Sequence, residues 1–145
     1  MENDLNGYEF LGDKAVMPYK IEGENGYQRV DLWGDVSKWD AIQAIMELRR
    51  LDPHKEVPDI WILGEGVVVP LVEFGDIATT AVDTIPPVFK GAPTAVVVAD
   101  RLQREMVKLY RETIPAPLFK IEVFADVESA AKWVETNNPN TPQLA

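Results

Sequence analysis

The last third of the chain places the tightest limit on its fold. Residues 95–99, Ala-Val-Val-Val-Ala, form a short, unbroken and mostly β-branched apolar run. Such a run is typical of a parallel strand that helices cover on both faces. A second strand-like run follows at Phe119–Phe124, and the segment between the two has helical spacing. Two strands joined through a helix lie parallel, so Thr94–Glu135 is predicted to form a βαβα unit with a right-handed crossover.

Both helices of this unit have an aspartate where the helix should begin. Asp100 and Asp126 each follow a strand-like run. An aspartate at that position accepts hydrogen bonds from the free amides of the first helical turn. The first helix is expected to bury a stripe made by Leu102, Met106, Leu109 and Tyr110. The second is expected to bury Val127, Ala130, Ala131 and Val134, with Trp133 near the edge of the stripe.

The preceding residues are predicted to supply the rest of the sheet. Strand-like runs at Ala15–Glu22 and Tyr27–Trp33 flank Asn25-Gly26, a pair that favours a hairpin turn because both positions tolerate positive φ. Ser37–Asp40 has the pattern of a capping box, which indicates the start of a helix. Near the end of that helix, the cations Arg49, Arg50 and Lys55 complement the helix dipole.

A third strand is predicted at Asp59–Leu63, and a further helix runs from about Glu73 to Ile85-Pro-Pro87. Between them, Gly64-Glu-Gly66 is a lone G-x-G pattern that indicates a tight turn, since a dinucleotide site needs a third glycine. The order is β-β-α-β-α-β-α-β-α. The predicted fold is therefore α/β, with a mixed sheet of about five strands, an antiparallel hairpin followed by parallel strands, and four helices.

Length and cysteine content predict the domain organisation and the compartment. The 145 residues are expected to form one domain over residues 8–136, with a disordered segment at 1–7 and a flexible tail at 137–145. The absence of cysteine removes disulfides and thiolate sites, and it fits a reducing compartment. The chain has no signal-peptide pattern and no apolar run of the ~20 residues that a membrane-spanning helix needs. We therefore expect a cytoplasmic protein without membrane insertion.

The charge of the chain restricts its partners. The formal net charge is −10, and no basic cluster is dense enough to override it. A chain of this charge repels phosphate backbones and anionic lipid surfaces. We therefore expect no nucleic acid among its partners.

Several stretches together resemble a known group of proteins. They are the opening hairpin, Leu51-Asp-Pro53, the Asp59–Leu63 strand and above all Val123-Phe-Ala-Asp-Val-Glu-Ser-Ala-Ala-Lys-Trp-Val134. The last stretch is similar to a pattern, V-F-x-D-x-x-x-A-x-x-W-L, of the SpoIIAA-like bacterial proteins in the STAS/CRAL-TRIO superfamily. The resemblance covers Ala15 to Glu135 and implies the SpoIIAA-like/STAS fold. Because it rests on residues that shape the fold, it bears on architecture more than on activity.

The resemblance implies two modes of action. In the anti-anti-sigma branch, a phosphorylatable serine opens the helix after the third strand. This chain has Gly64-Glu-Gly-Val-Val-Val-Pro70 there, and its two serines, Ser37 and Ser129, stand at helix starts where capping explains them. We therefore expect no phosphoserine switch. The lipid-carrier branch uses an apolar pocket beneath a mobile helix.

Four acidic residues each follow a strand and precede a helix: Asp35, Glu65, Asp100 and Asp126. In an open α/β sheet such turns meet at the carboxyl edge, where ligands tend to bind and where acids could hold Mg²⁺. Helix capping accounts for Asp100 and Asp126 without a metal. His54 is the only histidine, and it lacks the partners that a metal site or a general base needs. We expect no metal and no cofactor.

The segment of most functional interest is the apolar run from residue 67 to 74. Its apolar residues are Val67, Val68, Val69, Leu71, Val72 and Phe74. Burial against the sheet is the ordinary fate of such residues. However, so many nearly consecutive apolar residues cannot all face inward from one helix or one half-buried strand. We hypothesise that the segment lines either a homodimer interface or a pocket for a small apolar ligand.

The motifs that would support catalysis are missing from the sequence. It contains no Ser-His-Asp set, no phosphate-binding loop and no paired basic clamp. The sequence therefore predicts a non-enzymatic domain that acts by protein–protein contact or by binding a small apolar ligand. The alternative is an enzyme or phosphoacceptor domain that uses the carboxylates at the carboxyl edge of the sheet.

Overall fold

The predicted order of strands and helices is present in the structure. This structure is a computed structural model that describes residues 17–84, 91–114 and 120–140, without the side chain of Leu71. The elements are β1 (Tyr19–Glu24), β2 (Tyr27–Leu32), α1 (Lys38–Leu51), β3 (Asp59–Leu63), a 3₁₀ turn (Leu71–Glu73), α2 (Phe74–Asp83), β4 (Thr94–Val97), α3 (Arg101–Thr113), β5 (Ile121–Phe124) and α4 (Val127–Asn137). Residues 1–7, the start of the first strand-like run, Ile85-Pro-Pro87 and residues 141–145 of the expected tail lie outside the described residues.

The five strands lie side by side in chain order, and this mixed sheet confirms the predicted fold class. β1 and β2 are antiparallel, and Glu24 pairs with Tyr27 across a two-residue turn in which Gly26 has φ of 94°. β2 to β5 are parallel. The parallel strands therefore all end at the same edge of the sheet, as the βαβ pattern requires.

Helices cover the two faces of the sheet unequally. Side chains of β2 to β5 that point to one face, among them Leu32, Leu63 and Val96, pack in one core with apolar residues of α1, α2 and α3. Their neighbours in sequence point to the other face, where Ile60, Ala95 and Val97 pack against α4. Successive residues of a strand alternate in direction, so one sheet forms the floor of both cores.

Helix starts follow the sequence prediction. Ser37 and Asp40 form the expected capping box at α1. Asp100 caps α3 and Asp126 caps α4, each accepting a hydrogen bond from the backbone amide three residues further on. The buried stripe of α4, including Ala130 and Val134, is also confirmed.

The expected buried stripe of α3 is correct at Met106 and Tyr110, which are half-buried and pack against the core, and wrong at Leu102 and Leu109. Leu102 and Leu109 are exposed, while Gln103 and Val107 are buried. Gln103 is buried because its side chain makes hydrogen bonds that a count of apolar residues does not register.

Candidate functional site

A cavity lies between the sheet and helices α1, α2 and α3. It has a volume of about 140 Å³ and is lined mainly by apolar side chains. Aromatic rings of Trp61, Phe74 and Tyr110 form part of its wall, and the last two meet edge to face with ring centroids 5.9 Å apart. An apolar concave space with a few polar groups is typical of sites that bind small molecules.

One end of the cavity is polar and charged. Arg49 from α1, Lys55 from the loop after α1, Asp59 at the start of β3 and Thr94 at the start of β4 all contribute to the lining. These strand starts lie at the amino edge of the parallel strands, opposite the edge where the acidic turns occur. None of these four residues stands out in the sequence as a member of a site.

Lys55 is the centre of the charged cluster. It is 2% exposed, and its ammonium donates to the Ala92 carbonyl oxygen at 3.1 Å and to Asp59 Oδ2 at 3.4 Å. Thr94 Oγ1 lies 3.5 Å from the same nitrogen. Burial lowers the pKa of Lys55, and the Asp59 carboxylate acts in the opposite direction.

The loop after α1 turns Lys55 inward. Asp52 accepts hydrogen bonds from the backbone amides of Glu56 and Val57, at 3.2 and 2.9 Å, which closes the loop into a tight turn. Within that turn Lys55 has φ of 47°, in the left-handed region that few residues other than glycine adopt. The strained backbone is held by these contacts, and strain of this kind concentrates at functional sites.

Two polar atoms of the cluster have no hydrogen-bond partner within the described part of the chain. They are Asp59 Oδ1 and Arg49 Nε, and both are buried. The remaining polar atoms of the pair are engaged: Arg49 Nη1 donates to the Asp52 carbonyl oxygen at 3.2 Å, and Arg49 Nη2 lies 4.0 Å from Asp59 Oδ2. A buried donor and a buried acceptor are thus left free on one ion pair, which is costly unless another molecule satisfies them.

Tyr110 stands near the charged end. Burial, and then the negative charge of Asp59, raise the pKa of the Tyr110 phenol above its usual value. The phenol is therefore neutral at physiological pH.

The apolar segment at 67–74 is divided between the interior and the surface. Val69 and Phe74 are buried and line the cavity, and Val67 is also buried. Val68 is exposed, and Val72 is 92% exposed. The side chain of Leu71 lies outside the described residues.

Gln103 anchors the turn that precedes this segment. Its amide nitrogen donates to the carbonyl oxygens of Gly64 and Val67, at 2.7 and 3.1 Å, and its oxygen accepts from the Ala99 amide at 2.7 Å. The turn itself is tight, as predicted, since the Val67 amide donates to the Gly64 carbonyl oxygen at 3.2 Å and Gly66 has φ of 82°. Helix α3 thus holds the loop that leads to the cavity wall.

The four acidic residues at the carboxyl edge are all exposed: Asp35, Glu65, Asp100 and Asp126. Asp126 accepts from both the backbone amide and the hydroxyl of Ser129, and these hydrogen bonds lower its pKa. His54 is also exposed. Among residues 17–84, 91–114 and 120–140, no three His, Asp or Glu side chains are close enough together to hold a metal ion.

Within the described part of the chain, no helix is both long enough and apolar enough to cross a bilayer.

Comparisons with known proteins identify the fold. No family model matches the chain, and no curated protein matches its sequence. Among solved structures, the chain is similar to an uncharacterised protein of the DUF3478 family from Shewanella loihica PV-4, which has a SpoIIAA-like fold. The TM-score is 0.54 at 18% sequence identity, and the match covers 80% of this chain and 91% of that protein. The fold is therefore SpoIIAA-like, which confirms the fold that the sequence resemblance implied.

Proposed function

We propose that the protein is a non-enzymatic binding domain that holds a small apolar ligand between its sheet and helices α1, α2 and α3. The observation that carries this proposal is the cavity of about 140 Å³ with its mainly apolar lining. An engineered protein cavity of about 150 Å³ with a similar lining binds benzene, so the volume fits a molecule with one ring.

The contacts that a bound ligand would make support the same proposal. A ligand that fills the space recovers contacts that the surrounding side chains lack. A small apolar molecule is therefore expected to stabilise the folded protein, with an effect that grows with the logarithm of its concentration above the dissociation constant.

The substitution Ala81→Leu tests this proposal, because Ala81 of α2 is half-buried and lines the cavity. We expect toluene to raise the melting temperature of the wild type. The larger side chain should itself stabilise the protein by about 1 kcal/mol through filling space, and it should weaken toluene binding at least tenfold. Binding is measured by thermal shift and by NMR titration.

The matched control is Ala131→Leu. Ala131 is also half-buried, but it packs on the opposite face of the sheet, with α4. Toluene should bind this variant as it binds the wild type. Failure of toluene to stabilise the wild type, or equal binding by the Ala81 variant, would contradict the proposal.

Exposed apolar side chains favour a second candidate function, self-association into a homodimer. Val72 is 92% exposed in the 3₁₀ turn before α2, and Leu102 of α3 is 63% exposed. Val68, in the segment that α3 contacts through Gln103 and Met106, is exposed as well. The inward residues of the 67–74 segment would thus serve ligand binding, while its outward residues would serve protein contact.

Native mass spectrometry of Val72→Asp tests the second candidate. We expect a dimer in the wild type and a monomer in the variant, since a charge buried without a partner opposes association. The thermal stability of the monomer should change little, because Val72 makes few contacts that folding could lose. Thr79→Asp, at an exposed position of α2, should remain dimeric. A monomeric wild type would rule out this candidate.

A further inference from the structure

The two unpaired atoms at the charged end of the cavity define a polar subsite. Asp59 Oδ1 is an acceptor and Arg49 Nε carries a donor hydrogen. The Asp59 side chain is 5% exposed and lines the cavity, as Arg49 does. A molecule that occupies the apolar space therefore contacts the two side chains that carry the free donor and the free acceptor.

We infer that the ligand is a small, single-ring molecule that carries one uncharged hydroxyl group, an inference that rests on the proposed function. The hydroxyl oxygen accepts the Arg49 Nε hydrogen bond, and the hydroxyl hydrogen is donated to Asp59 Oδ1. A hydroxyl is the smallest group that does both at once. It satisfies both unpaired atoms and adds no charge to the interior.

Other polar groups fit this subsite less well. A carboxylate has no hydrogen to donate, so its oxygens would face the free lone pairs of Asp59 Oδ1. An ammonium group would face the cations of Arg49 and Lys55, which outnumber the one carboxylate of Asp59 in the cluster. A methyl group would leave both unpaired atoms unsatisfied.

The shape of the cavity favours a ring. Trp61, Phe74 and Tyr110 present aromatic surfaces to the same space. Aromatic rings attract one another in edge-to-face and offset arrangements beyond the gain from burial alone, and Phe74 and Tyr110 already adopt the first of these. A phenol-like ligand combines the ring with the hydroxyl.

The test compares phenol, toluene and benzoate, which share one ring and differ in the attached group. Their dissociation constants are measured by NMR titration for the wild type, Arg49→Met and the control Arg50→Met. Arg50 is the next residue of α1, is exposed and pairs with Glu47 instead. The preference for phenol over toluene is compared between variants, so that differences in hydration of the two probes cancel.

We expect the preference for phenol to fall at least tenfold in Arg49→Met and to stay unchanged in Arg50→Met. Benzoate should bind the wild type more weakly than phenol. If Arg49→Met does not fold, Arg49→Lys provides the same comparison, because lysine keeps the charge and lacks the Nε hydrogen.

The outcomes separate this inference from the proposed function. If none of the three compounds binds the wild type, the proposed function fails, and the inference fails with it. If toluene binds but the phenol preference is the same in the arginine variants, the proposed function stands and a water molecule is the better partner for the two atoms. If benzoate binds more tightly than phenol, the subsite recognises anions and the inference is overturned.

Discussion

Lys55 is the residue whose surroundings differ most from what its neighbours in sequence suggest. It follows α1 by a few residues, where a cation complements the helix dipole. In the structure it enters the interior and bonds to the starts of two strands, β3 through Asp59 and β4 through Thr94. A charged cluster at one end of an apolar cavity is the kind of site where a few polar groups determine specificity.

Replacement of Lys55 by methionine should reveal the burial of its charge through the pH dependence of stability. Burial is the main cause that lowers the folded-state pKa of Lys55. The positive charge of Arg49 lowers this pKa further, while the carboxylates of Asp59 and Asp52 act in the opposite direction. In the alkaline range, between the folded and the unfolded pKa, the unfolded chain binds more protons than the folded one. The free energy of unfolding contributed by Lys55 therefore rises with pH there, by at most about 1.4 kcal/mol per pH unit.

The measurement is urea denaturation of the wild type and Lys55→Met between pH 7 and pH 10. At pH 7 the variant should be less stable by about 3 kcal/mol, because Asp59 loses its nearer cation. The difference in the free energy of unfolding should widen toward pH 10, because the wild type becomes more stable there and the variant does not. Lys20→Met, at an exposed lysine of β1, controls for the loss of a lysine charge. Parallel stability curves for Lys55→Met and the wild type would contradict the burial of this charge.

At the scale of elements, local sequence patterns predict the strands, turns and helix starts correctly wherever a short segment determines its own structure. The strand at Asp59–Leu63 has the predicted bounds, and the hairpin forms at Asn25-Gly26. The capping residues of α1, α3 and α4 were also found, since a cap is read from adjacent residues. The order of elements then leads to the sheet topology, because parallel strands need helical crossovers.

Patterns of apolar residues do not predict the buried residues correctly where hydrogen bonds determine which side chains are buried. Gln103 is fully buried because its amide satisfies three backbone groups. Lys55 is buried because Asp59 and the Ala92 carbonyl oxygen accept from its ammonium. Several of the groups that satisfy these two residues lie 36 to 39 positions away in the sequence. The polar end of the cavity therefore could not be found from hydropathy, and its signal in the sequence is weak.

At the scale of the whole molecule, the sheet joins two cores of different character. The core on the side of α1, α2 and α3 contains the cavity, while the core under α4 is small and built from Ile60, Ala95, Val97, Ala130 and Val134. Because β2 to β5 contribute alternate residues to both cores, neither core persists when the sheet is lost. We expect the domain to unfold in a single cooperative transition, as small domains with shared cores do.

Two valine-to-alanine substitutions separate stability from ligand binding in this arrangement. Val134 of α4 is 1% exposed, and Val107 of α3 is 5% exposed and lines the cavity. Each substitution should lower the free energy of unfolding by about 2 kcal/mol, since each removes two buried methyl groups.

Near-UV and far-UV circular dichroism should give one coincident transition for both variants. Toluene affinity should stay at the wild-type value in Val134→Ala and change in Val107→Ala, because only the second enlarges the cavity. Two separate transitions in Val134→Ala would show that the cores unfold independently, and an altered affinity in that variant would show that the far face of the sheet shapes the binding space.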